Sequence, residues 1–227
     1  MAVNIVEKID RFIGVRHVLA SVSDKSGLDT FIPELVRASP DVKIYSTGGT
    51  YSAIRKILGA DAARRLVQVS DYTGQPEMQG GLVKTLDFKI YLGILGETYN
   101  VAHQGDLRRM KAVAFDLVAV NLYPFAQTVE TPGATPEQAR ANIDIGGPCM
   151  VRAAAKNFLR VAVVTNPADY SLVLDEMRAN NGRLSLEMRF ELSRKAFAHT
   201  AQYDAAIADY LRKTNFKAVE SCYRIQA

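Results

Sequence analysis

The sequence is poor in cysteine and histidine. Its two cysteines, Cys149 and Cys222, are too few for a disulfide scaffold and too far apart along the chain for a zinc-ligand pair. The three histidines, His17, His103 and His199, are scattered, and the simpler interpretation makes them ordinary surface or core residues. We therefore expect neither a metal site nor a disulfide.

Long hydrophobic runs and basic clusters are also missing. No apolar stretch approaches the roughly 20 residues that cross a bilayer, and residues 1–17 lack the continuous apolar core of a secretion signal. Lys and Arg number 28 against 24 Asp and Glu, a net charge of +4, without a dense basic run that carries aromatics. These features predict a cytoplasmic protein that binds neither membrane nor nucleic acid and mildly favours anionic small molecules.

Short apolar runs alternate with helical patterns along the 227 residues. Strands are predicted at 17–23, 42–46, 66–69, 90–95, 115–122 and 160–165, and helices at 27–38, 50–58, 98–112, 168–179 and 184–213. Residues 71–81, rich in glycine and interrupted by Pro76, are predicted to form a shaped loop. This alternation favours a three-layer α/β/α domain with a mostly parallel central sheet, in which ligands bind at the carboxyl ends of the strands.

Two polar loops follow predicted strands, at residues 21–27 and 46–50. In the second loop, glycines let a ligand approach the backbone, and free N–H groups of the following helix face an anion. Lys25, in the first loop, adds a positive charge beside them. The alternative is a plain glycine turn whose Ser and Thr residues cap a helix.

Further polar residues are expected near the same edge of the sheet. Lys84 lies among small and apolar neighbours, where a lysine can exchange a proton near neutral pH, although it is equally consistent with a surface lysine. Asn121 and Tyr123 emerge where an apolar strand ends. Asp144 precedes a helix that it can simply cap, and Lys156 lies about two turns or more along that helix.

Several short segments, taken together, carry a family resemblance. They are Ser21–Lys25, Ser46–Thr50, Gly74–Met78, Val83–Leu86, Asn121–Phe125, Asp144–Gly147, Arg152–Asn157 and Ala196–Asp204. In order and spacing, from about Val18 to Leu211, they resemble the IMP cyclohydrolase half of the bifunctional purine enzyme AICAR transformylase/IMP cyclohydrolase. Because many motifs agree in one order, the resemblance is highly specific.

The resemblance implies a methylglyoxal-synthase-like domain over residues 1–198 and a C-terminal helical extension over residues 199–227, with the transformylase domain absent. It implies the dehydrative ring closure of formylated aminoimidazole carboxamide ribotide (FAICAR) to inosine monophosphate (IMP), the last step of de novo purine biosynthesis, without a cofactor. Because the family is usually dimeric, we expect a homodimer, and also a separate enzyme that formylates AICAR.

Roles for individual residues also follow from the resemblance. Residues that would hold the 5′-phosphate are Ser23, Lys25, Thr47, Gly48, Gly49 and Thr50, and those that would line the nucleotide are Thr85, Asn121, Ile145 and Gly146. Lys156 would be the general acid/base at the reacting amide, with Asp144 orienting it or the amide. Lys84 and Tyr123 would steady the oxygen of the formyl group as charge develops.

The sequence departs from the family pattern around Lys84. Leu82 replaces an arginine, Asp87-Phe88 replaces a His-Pro pair, and Tyr91 stands where a second histidine is common. These changes fit a non-catalytic nucleotide sensor of the same fold, whereas the retained Lys84, Tyr123, Asp144 and Lys156 favour the enzyme. Methylglyoxal synthase is a third possibility on fold analogy alone, and the long helical extension argues against it.

Overall fold

A parallel sheet forms the centre of the fold. The structure, a computed structural model, describes residues 4–75 and 84–226. Within these residues the main sheet has five strands in the order β4-β3-β2-β5-β6, which are β2 (His17–Val22), β3 (Lys43–Ser46), β4 (Leu66–Gln68), β5 (Leu117–Asn121) and β6 (Ala162–Val164). Each neighbouring pair is parallel, which confirms the predicted mostly parallel sheet.

The remaining elements are helices and one small ribbon. In chain order the helices are α1 (Leu28–Ala38), α2 (Gly48–Leu58), α3 (Ala62–Arg65), α4 (Val69–Thr73), α5 (Phe88–Leu95), α6 (Val101–Arg109), α7 (Phe125–Glu130), α8 (Pro136–Ala141), α9 (Gly146–Lys156), α10 (Tyr170–Ala179), α11 (Leu186–Lys213) and α12 (Phe216–Glu220). The ribbon pairs β1 (Phe12–Gly14) with β7 (Arg183–Ser185) in antiparallel register.

Helices cover both faces of the sheet. Because side chains alternate along a strand, Val18 and Ala20 of β2 point into a core shared with α1, α2 and α10, whereas Leu19 points into a second core shared with α5, α9 and α11. All three of these β2 residues are almost fully buried. The three-layer α/β/α architecture expected from the sequence is confirmed.

The segment 90–95 was predicted as a strand, and this prediction is wrong, because the structure forms helix α5 there. The Asp87 carboxylate accepts a hydrogen bond from the Lys89 N–H at 2.7 Å and so caps the helix. Ile90 and Ile94, one turn apart, are both buried on the same face. A short apolar run fits a buried strand or a buried helix equally well, and here the cap and the helical spacing decide.

The loop predicted at 71–81 begins later than expected, since residues 71–73 complete α4, while residues 76–81 lie outside the described part. The predicted boundary between residues 198 and 199 falls within α11, which runs unbroken from Leu186 to Lys213 and packs on α9 and β6. Residues 199–213 therefore continue a helix that is part of the packed domain.

A fully buried arginine on α11 joins distant segments of the chain. The Arg189 guanidinium donates to main-chain carbonyl oxygens, which belong to Asp10, Arg11, Phe158, Leu159 and Leu184. Burial lowers the pKa of this guanidinium to about 10. Arg189 thus fastens the start of α11 to the N-terminal segment and to the turn before β6.

The topology places a ligand site where the chain changes direction across the sheet. From β2 the chain builds β3 and β4 on one side and then crosses to build β5 and β6 on the other. Loops diverge at such a switch point, and they leave a crevice at the carboxyl ends of the strands. In the described residues no helix is long and apolar enough to span a membrane, and no group of three or more His, Cys, Asp or Glu is placed to hold a metal ion.

Candidate functional site

A cleft of about 290 Å³ opens at the carboxyl ends of β2, β3 and β5. Many of the residues singled out in the sequence line it, namely Ser23, Lys25, Thr47, Gly48, Gly49, Thr50, Lys84, Thr85, Asn121, Tyr123, Asp144, Ile145 and Gly146. Ser21, Ala141, Ile143, Gly147 and Met150 line it as well and were not assigned a role from the sequence. Loops that are distant in sequence therefore meet at one site.

Two lysines lie close to the glycines that begin α2. Gly48 adopts a φ of +47°, which favours glycine, and a Cβ built on it would lie 3.1 Å from the Lys84 Nζ. A Cβ on Gly49 would lie 3.8 Å from the Lys25 Nζ. Thr47 makes no capping hydrogen bond to α2 within the described residues, and its hydroxyl lies 3.3 Å from that of Ser21. The N-terminus of α2 and two ammonium groups thus converge on one small space, an arrangement suited to a phosphate.

Asn121 and Thr50 hold the loops around this space in place. The Asn121 side chain accepts hydrogen bonds from the N–H groups of Ser23 at 2.6 Å and Asp24 at 2.9 Å, and it donates to the Asp24 carbonyl at 2.8 Å. The Thr50 hydroxyl donates to the Val22 carbonyl and accepts from its N–H, both at 3.0 Å. The side chains of Asn121 and Thr50 therefore fix the end of β2 and the loop that carries Ser23.

Asp144 lies at the opposite wall, at the start of α9. Its Oδ1 accepts a hydrogen bond from the Gly147 N–H at 2.9 Å, so the capping interpretation of Asp144 describes part of its role. Burial raises the pKa of this carboxyl, although hydrogen bonds from the Gly147 and Tyr123 main chain act in the opposite direction. A Cβ on Gly147 would lie only 2.4 Å from Oδ2, so the carboxyl fits tightly against a glycine.

The rim of the cleft exposes two large side chains. Tyr123, directly after β5, is 51% exposed, and Ile145, before α9, is 55% exposed. Thr85 lines the same cleft and is buried, with its Oγ1 2.8 Å from where a Cβ on Gly146 would lie. The end of the cleft that suits a phosphate is therefore cationic and formed largely by main-chain groups, whereas the other end combines one carboxyl, one phenol and apolar surface.

The positions that depart from the family pattern have different environments in the structure. Leu82 lies outside the described residues. Asp87 caps α5, and Phe88 is 61% exposed. The Tyr91 hydroxyl is buried, and burial, together with the neighbouring Cys149, raises the pKa of this phenol.

Lys156 is the one predicted catalytic residue that does not line the described cleft. It is exposed in the last turn of α9, the helix whose first residue, Gly146, borders the cleft. At 1.5 Å per residue, the two ends of this helix are roughly 15 Å apart. A single chain therefore brings together Lys84, Tyr123 and Asp144, with Lys156 at the far end of the same helix.

Tyr203 does not line the described cleft, but it contacts the main chain of a residue that does. Its hydroxyl, on α11, accepts a hydrogen bond from the Asp144 N–H at 2.8 Å across 59 residues of sequence. The motif Ala196–Asp204 was part of the resemblance, but nothing in the local sequence assigns Tyr203 to the cleft. Only the packing of α11 against the domain reveals the contact.

The fold and the cleft at its switch point define a recognisable class. The family model for the MGS-like domain matches residues 28–149, which include most of the cleft, and the chain belongs to this family. The model described as AICARFT/IMPCHase bienzyme matches residues 154–227, which include β6 and the whole of the long helix α11. The two matches meet at α9, and so the family resemblance is confirmed.

Individual relatives agree with this assignment. The bifunctional purine biosynthesis protein PurH of Neisseria meningitidis serogroup A / serotype 4A is 51% identical over 197 residues, which are 87% of this chain and 36% of that protein. PurH of Neisseria gonorrhoeae strain NCCP11945 is also 51% identical over 197 residues. The chain thus spans about a third of the length of these relatives. The crystal structure of ForH is 31% identical, with a TM-score of 0.71, and the match covers 86% of this chain and 97% of that one.

Proposed function

We propose that this chain is an IMP cyclohydrolase that closes FAICAR to IMP in the last step of purine biosynthesis. The observation that carries the proposal is the cleft itself, in which a cationic glycine turn faces a wall formed by Tyr123 and Asp144. The similarity to purine biosynthesis proteins supports the same pathway.

In the proposed binding mode, the 5′-phosphate lies over the turn at Gly48 and Gly49. The N-terminus of α2 supplies N–H donors, and Lys25 and Lys84 supply positive charge. The ribose and base then extend past Asn121 and Thr85 towards Ile145 and Gly146. This orientation presents the two reacting groups of the base to the far wall.

The reaction joins the carboxamide nitrogen to the formyl carbon and expels water. One proton leaves the carboxamide and one leaves the formamide nitrogen, and both depart with the formyl oxygen as water. An intramolecular closure of this kind needs the correct conformer, a route for protons and stabilisation of the oxygen. Tyr123 is proposed to hold that oxygen, and Asp144 is proposed to orient the amide and accept its proton. Lys84, which the resemblance assigns to the same oxygen, lies over Gly48 and is proposed to bind the phosphate instead.

The environment of Asp144 suits this role. Burial raises the pKa of its carboxyl towards the range in which proton transfer is efficient at neutral pH. The Gly147 N–H at 2.9 Å and the close approach to that glycine hold the carboxyl in a defined position. Neither a metal nor a cofactor enters the proposed steps.

The proposal is tested by following ultraviolet absorbance as purified protein is mixed with FAICAR. We expect turnover that falls about 10²- to 10³-fold in Tyr123→Phe, because a donor to the developing oxyanion is lost. Asp144→Asn is expected to fall at least as far. The control is Lys195→Ala, which removes an ammonium that pairs with Asp169 outside the cleft, and it should retain full activity.

Two results would separate the alternatives. Tight binding of IMP by calorimetry without any turnover of FAICAR would reject the enzyme and leave a nucleotide sensor. Formation of methylglyoxal from dihydroxyacetone phosphate would instead favour methylglyoxal synthase.

The role predicted for Lys156 requires a second copy of the chain, since the residue lies at the far end of α9. If the protein is a homodimer that shares its sites, Lys156→Ala and Asp144→Asn would each be inactive alone. Mixed after unfolding and refolding, they would recover about a quarter of the wild-type activity, because half of the dimers would contain one intact site. If the mixture recovers no activity, Lys156 does not act in the site of a neighbouring copy.

A further inference from the structure

The main chain that carries Asp144 is tied to α11 by a single hydroxyl. The Tyr203 hydroxyl accepts a hydrogen bond from the Asp144 N–H at 2.8 Å and lies 3.3 Å from the Asn142 carbonyl, to which it donates. One side chain therefore satisfies a donor and an acceptor on the turn that leads from α8 into α9. This turn contains no regular secondary structure that would hold it otherwise.

The Tyr203 ring has little freedom to move. Tyr203 is 9% exposed, and its ring packs edge-on against Phe125, with centroids 6.3 Å apart. Phe125 is itself 1% exposed and begins the helix that follows Tyr123. Burial also raises the pKa of the Tyr203 phenol, so that the hydroxyl remains a neutral donor over the physiological range.

The carboxyl of Asp144 has a narrow tolerance for displacement. Oδ1 accepts a hydrogen bond from the Gly147 N–H, and a Cβ built on Gly147 would lie only 2.4 Å from Oδ2. A shift of about 1 Å in a reacting group can lower a rate by about 100-fold. The Tyr203 hydroxyl holds the Asp144 main-chain nitrogen, which is three bonds from the carboxyl carbon, so this anchor bears directly on the position of the carboxyl.

We propose that Tyr203 is a positioning residue, whose hydroxyl fixes the main chain at residues 142–144 so that the Asp144 carboxyl faces the cleft. Its kinetic consequence rests on the proposed cyclohydrolase function, whereas its effect on the Asp144 environment does not. In this way the long helix α11 contributes to a site that otherwise belongs to the sheet and its loops.

Tyr210 provides a matched control for the loss of a hydroxyl. It lies two turns further along α11, and its ring also packs edge-on against Phe125, with centroids 5.8 Å apart. Its hydroxyl has no hydrogen-bond partner among the described residues. Tyr203→Phe and Tyr210→Phe therefore remove the same atom from two tyrosines that contact the same ring, one buried and one partly buried, but only the first releases the Asp144 turn.

The first measurement is the titration of the Asp144 carboxyl carbon by NMR in the wild type and both variants. The titratable groups next to this carboxyl are Tyr123 and Tyr203, with Lys84 in the same cleft and Asp204 beside Tyr203. Release of the turn lets water reach the carboxyl, so the Asp144 carboxyl should titrate at lower pH in Tyr203→Phe than in the wild type. In Tyr210→Phe its titration midpoint should match that of the wild type. Equal midpoints in all three proteins would overturn the proposal.

The second measurement is the turnover of FAICAR. We expect kcat to fall about tenfold or more in Tyr203→Phe with KM changed less than about threefold, because the phosphate turn is untouched. Adding Tyr203→Phe to Asp144→Asn should cost nothing further, because both act through one carboxyl. Additive losses would mean that Tyr203 acts independently of Asp144. An inactive wild type would reject the function alone, because the NMR titration does not depend on turnover.

Discussion

Replacing Gly48 with alanine tests the phosphate turn most directly. Gly48 has a φ of +47°, where an alanine costs about 1–2 kcal/mol relative to the ordinary helical region. In a domain of this size, each 1 kcal/mol lowers the melting temperature by about 2–4 °C, so the variant should melt about 2–8 °C below the wild type. This strain is expected whether or not the turn binds anything.

The effect on binding comes from the position of the new methyl group. It would lie 3.1 Å from the Lys84 Nζ, closer than ordinary van der Waals contact, and it would occupy the space where the phosphate is proposed to bind. Withdrawal of Lys84 removes one charge-assisted hydrogen bond, worth about 1.5–3 kcal/mol. The affinity for IMP should therefore fall by about 10- to 150-fold.

Gly133→Ala is the matched control. Gly133 has a φ of +81°, and a Cβ built there meets no atom within 4 Å. This variant should lose comparable stability and keep the wild-type affinity for IMP, measured by isothermal titration calorimetry below the melting transition. Inosine, which lacks the phosphate, should bind Gly48→Ala and the wild type equally weakly. Equal affinity of Gly48→Ala, Gly133→Ala and the wild type for IMP would refute the assignment of this turn to the phosphate.

Three further predictions concern stability. Arg189→Met should lower the free energy of unfolding in urea by at least about 3 kcal/mol, because the buried Leu184 carbonyl loses a partner worth about 1–3 kcal/mol and four part-buried carbonyls each lose a hydrogen bond worth about 0.5–1.5 kcal/mol. Arg194→Met, at an exposed ion pair, should change it by less than about 1 kcal/mol. Asp144→Asn should raise the melting temperature near pH 7, because burial raises the pKa of this carboxyl and the fold disfavours its charged form. The gain should vanish below the ordinary carboxyl pKa of 3.8, where residue 144 is neutral in both proteins. A gain in melting temperature that persists at that pH would contradict this origin. Burial lowers the pKa of His199, so on acidification the imidazole takes up a proton in the unfolded chain before it does so in the fold, and stability should decline as the pH falls below 6.5. His199→Gln should therefore show a shallower decline in melting temperature between pH 7 and pH 5. The same dependence of melting temperature on pH in both proteins would exclude His199 as a cause.

The sequence predicted the sheet because its strands are short apolar runs bounded by clear turn residues. Val18 and Leu19, for example, lie in one uninterrupted run, as expected of a strand that is covered on both faces. The same rule failed at Ile90–Leu95, where six consecutive apolar or small residues form the helix α5. Only the Asp87 cap distinguishes the two outcomes locally, and a cap three residues ahead of an apolar run is a weak signal.

The ribbon of β1 and β7 escaped prediction for a different reason. Each strand has three residues, and their register joins Phe12 to Ser185, which are separated by about three quarters of the chain. Such a pairing depends on where α10 and α11 place residues 183–185, which no local pattern encodes. Arg189, which donates to carbonyls near both strands, stabilises the same junction.

The candidate site was predictable to the extent that it follows from the topology. Parallel strands end at one edge, so the loops after β2, β3 and β5 had to meet there, and Lys25, Gly48, Asn121 and Asp144 do line one cleft. The position of Lys156 follows equally simply, because an 11-residue helix separates its two ends by roughly 15 Å. The sequence-based expectation placed Lys156 in the site on resemblance, without applying this length.

The contact between Tyr203 and Asp144 depends on the rotation of α11 about its own axis, which sequence periodicity defines only loosely. A rotation by one residue, about 100°, would turn the hydroxyl away from residues 142–144. The buried positions Ala196, Thr200 and Tyr203 recur at helical spacing and fix that rotation against α9 and α7. If Tyr203 positions Asp144 as proposed, the packing of this helix is itself a determinant of activity. Substitutions at Ala196 that rotate α11 should then lower kcat more than their loss of stability explains.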